Sequence, residues 1–190
     1  NAQGFITVDD SQRTTDSSLY AIGDVTGGAL LAHKASQEAH RAVDAIFGEE
    51  ARSKAAADTK AAVIPAVVFT DPEIAWCGLT ESEARTRGLS VRVLRFPWAA
   101  SGRAMSLDRP EGLTKLIVDP QTERILGVGV VGVGAGELIA QGVLAMEMGA
   151  HVKDLASTVP PHPTLSETFK ECAQLYYGSS THFISRRRPA

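Results

Sequence analysis

The chain has 190 residues, 44% hydrophobic and 22% charged, and its 19 Lys and Arg against 22 Asp and Glu leave a net charge of −3. That composition fits one or two globular domains and excludes both a disordered chain and a basic field able to hold a nucleic-acid backbone. Two cysteines without CxxC spacing exclude a disulfide scaffold or zinc cluster, and the longest apolar stretch, 125–135, is broken by four glycines and falls short of the roughly 18 residues of a membrane span.

The first residue is Asn1 rather than Met, so a truncated or processed chain is expected. Phe5-Ile6-Thr7-Val8 is a β-branched run between a glycine and two aspartates, and it predicts a strand. Leu19 to Ile22 predicts a second strand, stopped by Gly23-Asp24 and followed by Gly27-Gly28. Helical text then runs from Leu30 to Phe47. Leu31, Ala35, Ala39, Ala42, Val43 and Ile46 mark one apolar face, and Gly48 marks the stop. Residues 49–62 are charged and Ala-rich and read as a connector, so a boundary is placed between residues 1–60 and residues 61–190.

The second part opens with strands over 66–69 and 74–79, separated by an Asp71-Pro72 turn. Thr80-x-x-Glu83 is a capping box for a short helix ending at Gly88. Strands follow over 91–96, 113–118 and 125–133, the last two joined by a hairpin turn at Asp119-Pro120. Helices are expected over 136–148 and 152–157, and a final one opening at Thr164 with Leu165, Phe169, Cys172, Ala173 and Tyr176 at helical spacing. Strands first and helices after predict an α+β fold, with an antiparallel sheet covered on one side. The basic run Arg186-Arg187-Arg188 reads as a solvated tail.

Gly127-Val-Gly129-Val-Val-Gly132 spells GxGxxG, but a dinucleotide fingerprint needs a strand before it and a helix opening within it. Here the glycines fall inside the expected strand. Glycine in a strand also permits a neighbour to pack closely, and that reading is preferred.

The residues with most chemical promise lie near the end. His162 sits in Pro160-Pro161-His162-Pro163, where prolines stiffen the backbone and His162–Pro163 is a candidate cis bond. A histidine held so firmly is well placed for a general base. Glu167, five residues on, could accept a hydrogen bond from its imidazole and fix the tautomer. Thr164-x-x-Glu167 is equally a capping box, and both roles are compatible. His33 and His40 lie seven apart without matching carboxylate or cysteine ligands, so no metal site is expected. His151 reads as a helix-terminal surface residue. Cys172 reads as packing, nothing near Cys77 would activate it, and two such cysteines suit a reducing compartment such as the cytoplasm.

At this point the motifs resemble a known family. Thr14-Thr15, Leu19 to Asp24 and Leu30 to Ala35 look like the second flavin-contacting segment of the pyridine nucleotide–disulfide oxidoreductases. Phe69 to Thr80 and Phe96-Pro-Trp-Ala-Ala-Ser-Gly-Arg-Ala104 look like that family's C-terminal interface domain, and His162 to Glu167 is similar to its His–Glu motif. The Phe96 to Ala104 stretch is most like the dihydrolipoamide-oxidising bacterial members. The resemblance implies that residues 1–60 end an α/β FAD-binding domain and that residues 61–190 form the dimerisation domain. It implies electron flow from dihydrolipoamide to a cysteine pair, to FAD and to NAD+, with His162 as the base and Glu167 orienting it. Gly23, Asp24, Leu30, Leu31, Ala32 and His33 would contact the flavin. A homodimer serving lipoyl groups of 2-oxo acid dehydrogenase complexes is implied, without nucleic-acid or membrane partners. The chain lacks the opening flavin GxGxxG, a CxxxxC pair and a nicotinamide domain, so by itself it is expected to be inactive. The alternatives are a glutathione- or mercuric-type reductase and a non-catalytic dimerisation module.

Overall fold

The computed structural model describes residues 1–48 and 63–184. The chain divides into two compact units, Asn1–Ile64 and Pro65–Ala190. The expected connector, 49–62, and the basic run lie outside the described residues.

In the first unit a single 3-10 turn, Gly23–Thr26, precedes helix α1, Ala32–Phe47. Gly48, at φ 76°, ends that helix by turning its N–H back to the Asp44 carbonyl. The two strands expected before it do not form. Tyr20 makes one isolated antiparallel bridge to Arg13, and the Ile6 N–H bonds the Val25 carbonyl instead of a ladder. The β-branched runs are present, but a strand exists only against a neighbour, and among the described residues none flanks them. The apolar face of α1 also differs from expectation. Ala42 is buried, whereas Val43 and Ile46 are about half exposed.

The second unit is a five-stranded antiparallel sheet with helices packed against it. Its strands are β1 (Ala66–Val68), β2 (Glu73–Gly78), β3 (Arg92–Pro97), β4 (Leu113–Val118) and β5 (Ile125–Gly132), in the order β1-β2-β5-β4-β3. The 119–122 turn joins β4 to β5 as a hairpin. Helices α2 (Glu81–Thr86), α3 (Gly102–Ser106), α4 (Ala135–Glu147), α5 (Val152–Ala156) and α6 (Glu167–Gln174) complete it. α4 packs on β5 and β2, and α6 on β4 and β3.

Strand alternation sorts the side chains. Ala75, Cys77, Val128, Val130, Thr114, Leu116, Leu94 and Phe96 are buried beneath the helices. Their register agrees across the sheet: Cys77 faces Val128, Val128 faces Leu116, and Leu116 faces Leu94. The opposite face carries Ile74, Trp76 and a charged trio in which Glu81 bridges Lys115 at 2.6 Å and Arg95 at 2.5 Å.

The three glycines of the GxGxxG all lie in β5. A Cβ at Gly127 would meet the Leu79 carbonyl, and one at Gly132 would enter the Trp98 ring. Gly127 and Gly132 thus permit close approach, as expected, whereas a Cβ at Gly129 would meet only ordinary contact. The capping box on α2 is complete: Thr80 Oγ1 accepts the Glu83 N–H at 3.2 Å, and Glu83 accepts the Thr80 N–H at 2.8 Å. The last helix departs from expectation, because it opens at Glu167 rather than Thr164. Missed altogether was the 3-10 turn Trp98–Ala100 leading into α3.

Candidate active site

The candidate site is assembled on the rigid end of the sheet. Trp98 is fully buried and donates its indole N–H to Thr114 Oγ1 at 2.9 Å. Thr114 donates to Thr168 Oγ1 at 2.8 Å, and Thr168 donates to the Leu165 carbonyl at 2.7 Å. This buried relay runs from the Trp98 turn through β4 into the first turn of α6. Each hydroxyl both accepts and donates, so no polar group is left orphaned along it. Phe169, Cys172 and Ala173 are buried on the same helix and fix its rotation.

The loop entering α6 carries His162, and the His162–Pro163 bond is cis, as the sequence suggested. The Thr164 hydroxyl donates to the Pro161 carbonyl at 2.7 Å, closing the loop on itself. His162 Nδ1 lies 2.9 Å from Glu167 Oε1, and Glu167 Oε2 accepts the Thr164 N–H at 2.7 Å. Only that half of the Thr164–Glu167 capping box forms, because the helix opens at Glu167 with Ser166 as its N-cap. Glu167 therefore serves both the backbone and the imidazole. A carboxylate can only accept, so whenever the ring is neutral its proton sits on Nδ1 and Nε2 carries the free lone pair. The His162 side chain is 71% exposed against 23% for Glu167. Burial pushes the Glu167 carboxyl upward. The Thr164 N–H, the bond from His162 and the nearby charges of His162 and His182 outweigh it and hold the group below the usual carboxylate range.

A second pair of the same kind escaped the sequence reading. His182 Nδ1 lies 2.8 Å from Glu171 Oε1. Glu171 Oε2 accepts from the Ser180 hydroxyl at 2.6 Å and from the Thr181 and His182 N–H groups at 3.0 and 3.3 Å. Burial raises this carboxyl too, and the bonds from Ser180 and His182 overcome it, leaving it lowered. Glu167 and Glu171 are four apart and share a helix face, a signal for the carboxylate but not for its partner His182. Both pairs line one cavity of about 60 Å³ with Phe96, Ser101 and Thr168.

The two cysteines are free and buried, and burial pushes both thiols up to about 12. His151 is the N-cap of α5, where its N–H bonds Asp154 at 2.7 Å.

The other expected site residues lie in the first unit. Gly23 is buried at φ 76°, and its N–H donates to Glu38 Oε2 at 2.7 Å. Lys34 pairs with Glu38 at 2.9 Å and donates to the Gly23 carbonyl at 3.2 Å. This partly buried pair, also missed in the sequence, clamps the Gly23–Thr26 turn to α1. It leaves Asp24 on the exposed side of the turn, and Leu30 is 58% exposed. Leu31 is the N-cap of α1 and offers no capping side chain, while Ala32 and His33 occupy its first turn.

Residues 64–173 match the family model for the pyridine nucleotide-disulphide oxidoreductase dimerisation domain. A dihydrolipoyl dehydrogenase from Vibrio parahaemolyticus is 43% identical over 97% of this chain and 38% of its own length. One from Thermus scotoductus is 47% identical over the same shares. The chain thus spans about two fifths of the length of these curated relatives. Among solved structures, the HOCl-induced flavoprotein disulfide reductase RclA from Escherichia coli superimposes with a TM-score of 0.81 at 31% identity, covering 92% of this chain and 39% of that one. LpdA from Mycobacterium tuberculosis gives 0.80 at 30%, covering 90% and 36%. The chain belongs to the pyridine nucleotide-disulphide oxidoreductase family, and its five-stranded unit carries that family's dimerisation domain.

Proposed function

We propose that this chain is the C-terminal part of a flavoprotein that oxidises dihydrolipoamide with NAD+, supplying the acid–base pair and the dimer surface. The observation that carries the reading is the 2.9 Å His162–Glu167 pair on a loop tied to the core by the Trp98–Thr114–Thr168 relay. The names and 43–47% identities of the dihydrolipoyl dehydrogenase relatives support the substrate. In this reading Glu167 holds the Nδ1 proton, and His162 Nε2 takes the proton of a substrate thiol. The resulting thiolate attacks a disulfide elsewhere in the enzyme. Cys77 and Cys172 take no part, being buried and held as thiols.

The first unit fits a flavin contact. Asp24 presents an exposed carboxylate beside exposed Ile22, Val25 and Leu30, an acceptor for a polyol hydroxyl next to apolar surface. Gly23, Leu31, Ala32 and His33 contribute backbone to the same segment. Bound FAD supplies the electron path between the enzyme's cysteine pair and NAD+. The exposed apolar side chains Phe69, Leu144, Met148 and Val159 support burial of this unit against a second copy. The homodimer, the lipoyl groups of 2-oxo acid dehydrogenase complexes as partners and a cytoplasmic setting belong to the same proposal.

The test is a substrate panel on the complete enzyme. Dihydrolipoamide with NAD+ should be turned over far faster than glutathione disulfide or mercuric ion is reduced. His162→Asn should lower the dihydrolipoamide rate by about a hundredfold or more while FAD stays bound. A preference for either alternative substrate would overturn the assignment.

A further inference from the structure

Oxidation of a dithiol releases two protons, and this site contains two histidines. His162 and His182 each engage a glutamate of α6 through Nδ1, at 2.9 and 2.8 Å, and both line the same small cavity. With Nδ1 engaged, each ring has Nε2 left for proton exchange. The groups around them are few. α6 contributes Glu167, Glu171 and the Thr168 hydroxyl; β3 contributes Phe96; the segment before and into α3 contributes Ala100, Ser101 and Gly102. No other titratable side chain lines the cavity among the described residues.

The second pair is built as firmly as the first. The Glu171 side chain is 9% exposed and takes hydrogen bonds from four donors, whereas the His182 ring is 52% exposed. That is the arrangement of a held carboxylate presenting an accessible imidazole. A mere tether for the chain beyond α6 would not need a titratable ring.

We propose that His182, oriented by Glu171, is a second proton acceptor at the His162 site and takes the proton of the substrate's other thiol. The step rests on the dithiol-oxidising function proposed above, and it balances. Two S–H bonds of the substrate break and one S–S bond forms within it. The S–S bond of the enzyme's redox disulfide breaks, and its two sulfurs take the electron pair. One proton passes to His162 Nε2 and one to His182 Nε2. The two carboxyls are both lowered, so they remain charged where imidazoles titrate and keep both rings oriented.

The experiment is the pH dependence of kcat/KM for dihydrolipoamide in the complete enzyme, compared with His182→Asn and His182→Gln. Either amide can still donate to Glu171 and hold the chain in place, but neither titrates. Two bases make the wild-type acid limb steeper than slope one in the logarithmic plot where both protonate, and each variant should show slope one throughout. The neutral rate should fall about tenfold, less than for loss of a sole base, because water can accept the second proton. A limb of unchanged slope and an unchanged neutral rate in the variants would overturn the proposal and leave His182 a tether. His162→Asn is run in parallel. If it retains the dithiol rate, the functional reading itself fails, whatever His182 does.

Discussion

His162 and Glu167 are joined by short-range geometry. Five residues and a proline-stiffened turn bring an imidazole over the first turn of a helix. His182 and Glu171 are eleven residues apart across a helix end, and Gly23 and Glu38 fifteen apart, where no spacing rule operates. The Glu167 and Glu171 carboxylates report on themselves through pH. The folded Glu171 carboxyl titrates below its unfolded value of about 4.3, so its stabilisation is complete above that pH and is lost as pH falls through the folded value. The gap in urea midpoint between wild type and Glu171→Gln should therefore be widest at neutral pH and close on acidification. A gap that does not change with pH would contradict the assignment. Cys77 and Cys172 give a second check. With burial holding both near 12, a thiol reagent at mildly alkaline pH should label neither in the folded protein and both after denaturation.

At the scale of elements, the sheet was readable to within about two residues because its strands alternate and its turns carry their own chemistry. Asp119-Pro120 and the Thr80–Glu83 box each act locally. The strands expected at Phe5–Val8 and Leu19–Ile22 failed for the opposite reason: a β-branched run is only half of a strand, and the pairing partner is not encoded within it. The Trp98–Ala100 turn was missed because its cause is tertiary, the indole filling the space over Gly132 and bonding Thr114. That contact predicts a cost. Gly132 sits at φ 146°, so Gly132→Ala should destabilise by about 1–3 kcal/mol through strain and overpacking, measured by denaturant midpoint. Thr114→Val would leave the Trp98 N–H without its acceptor and remove the donor to Thr168. A loss of about 1–3 kcal/mol is expected, accompanied by a slower dithiol reaction as the α6 loop loosens. A variant as stable as wild type would show that the relay does not support the site.

At the scale of the whole molecule, the chain has a five-stranded unit and a first unit whose β-branched segments find no ladder among the described residues. It spans about two fifths of the length of its curated relatives. The proposed reaction needs a flavin and a redox cysteine pair besides His162, so the purified 190-residue chain should show no NAD-linked lipoamide activity. The central claim is that His162, held by Glu167, takes the thiol proton. Anaerobic stopped-flow reduction of the flavin by dihydrolipoamide, in the complete enzyme and its His162→Asn variant, tests it most directly. A rate lower by about a hundredfold or more at equal flavin content is expected. Flavin reduction at the wild-type rate in that variant would contradict it.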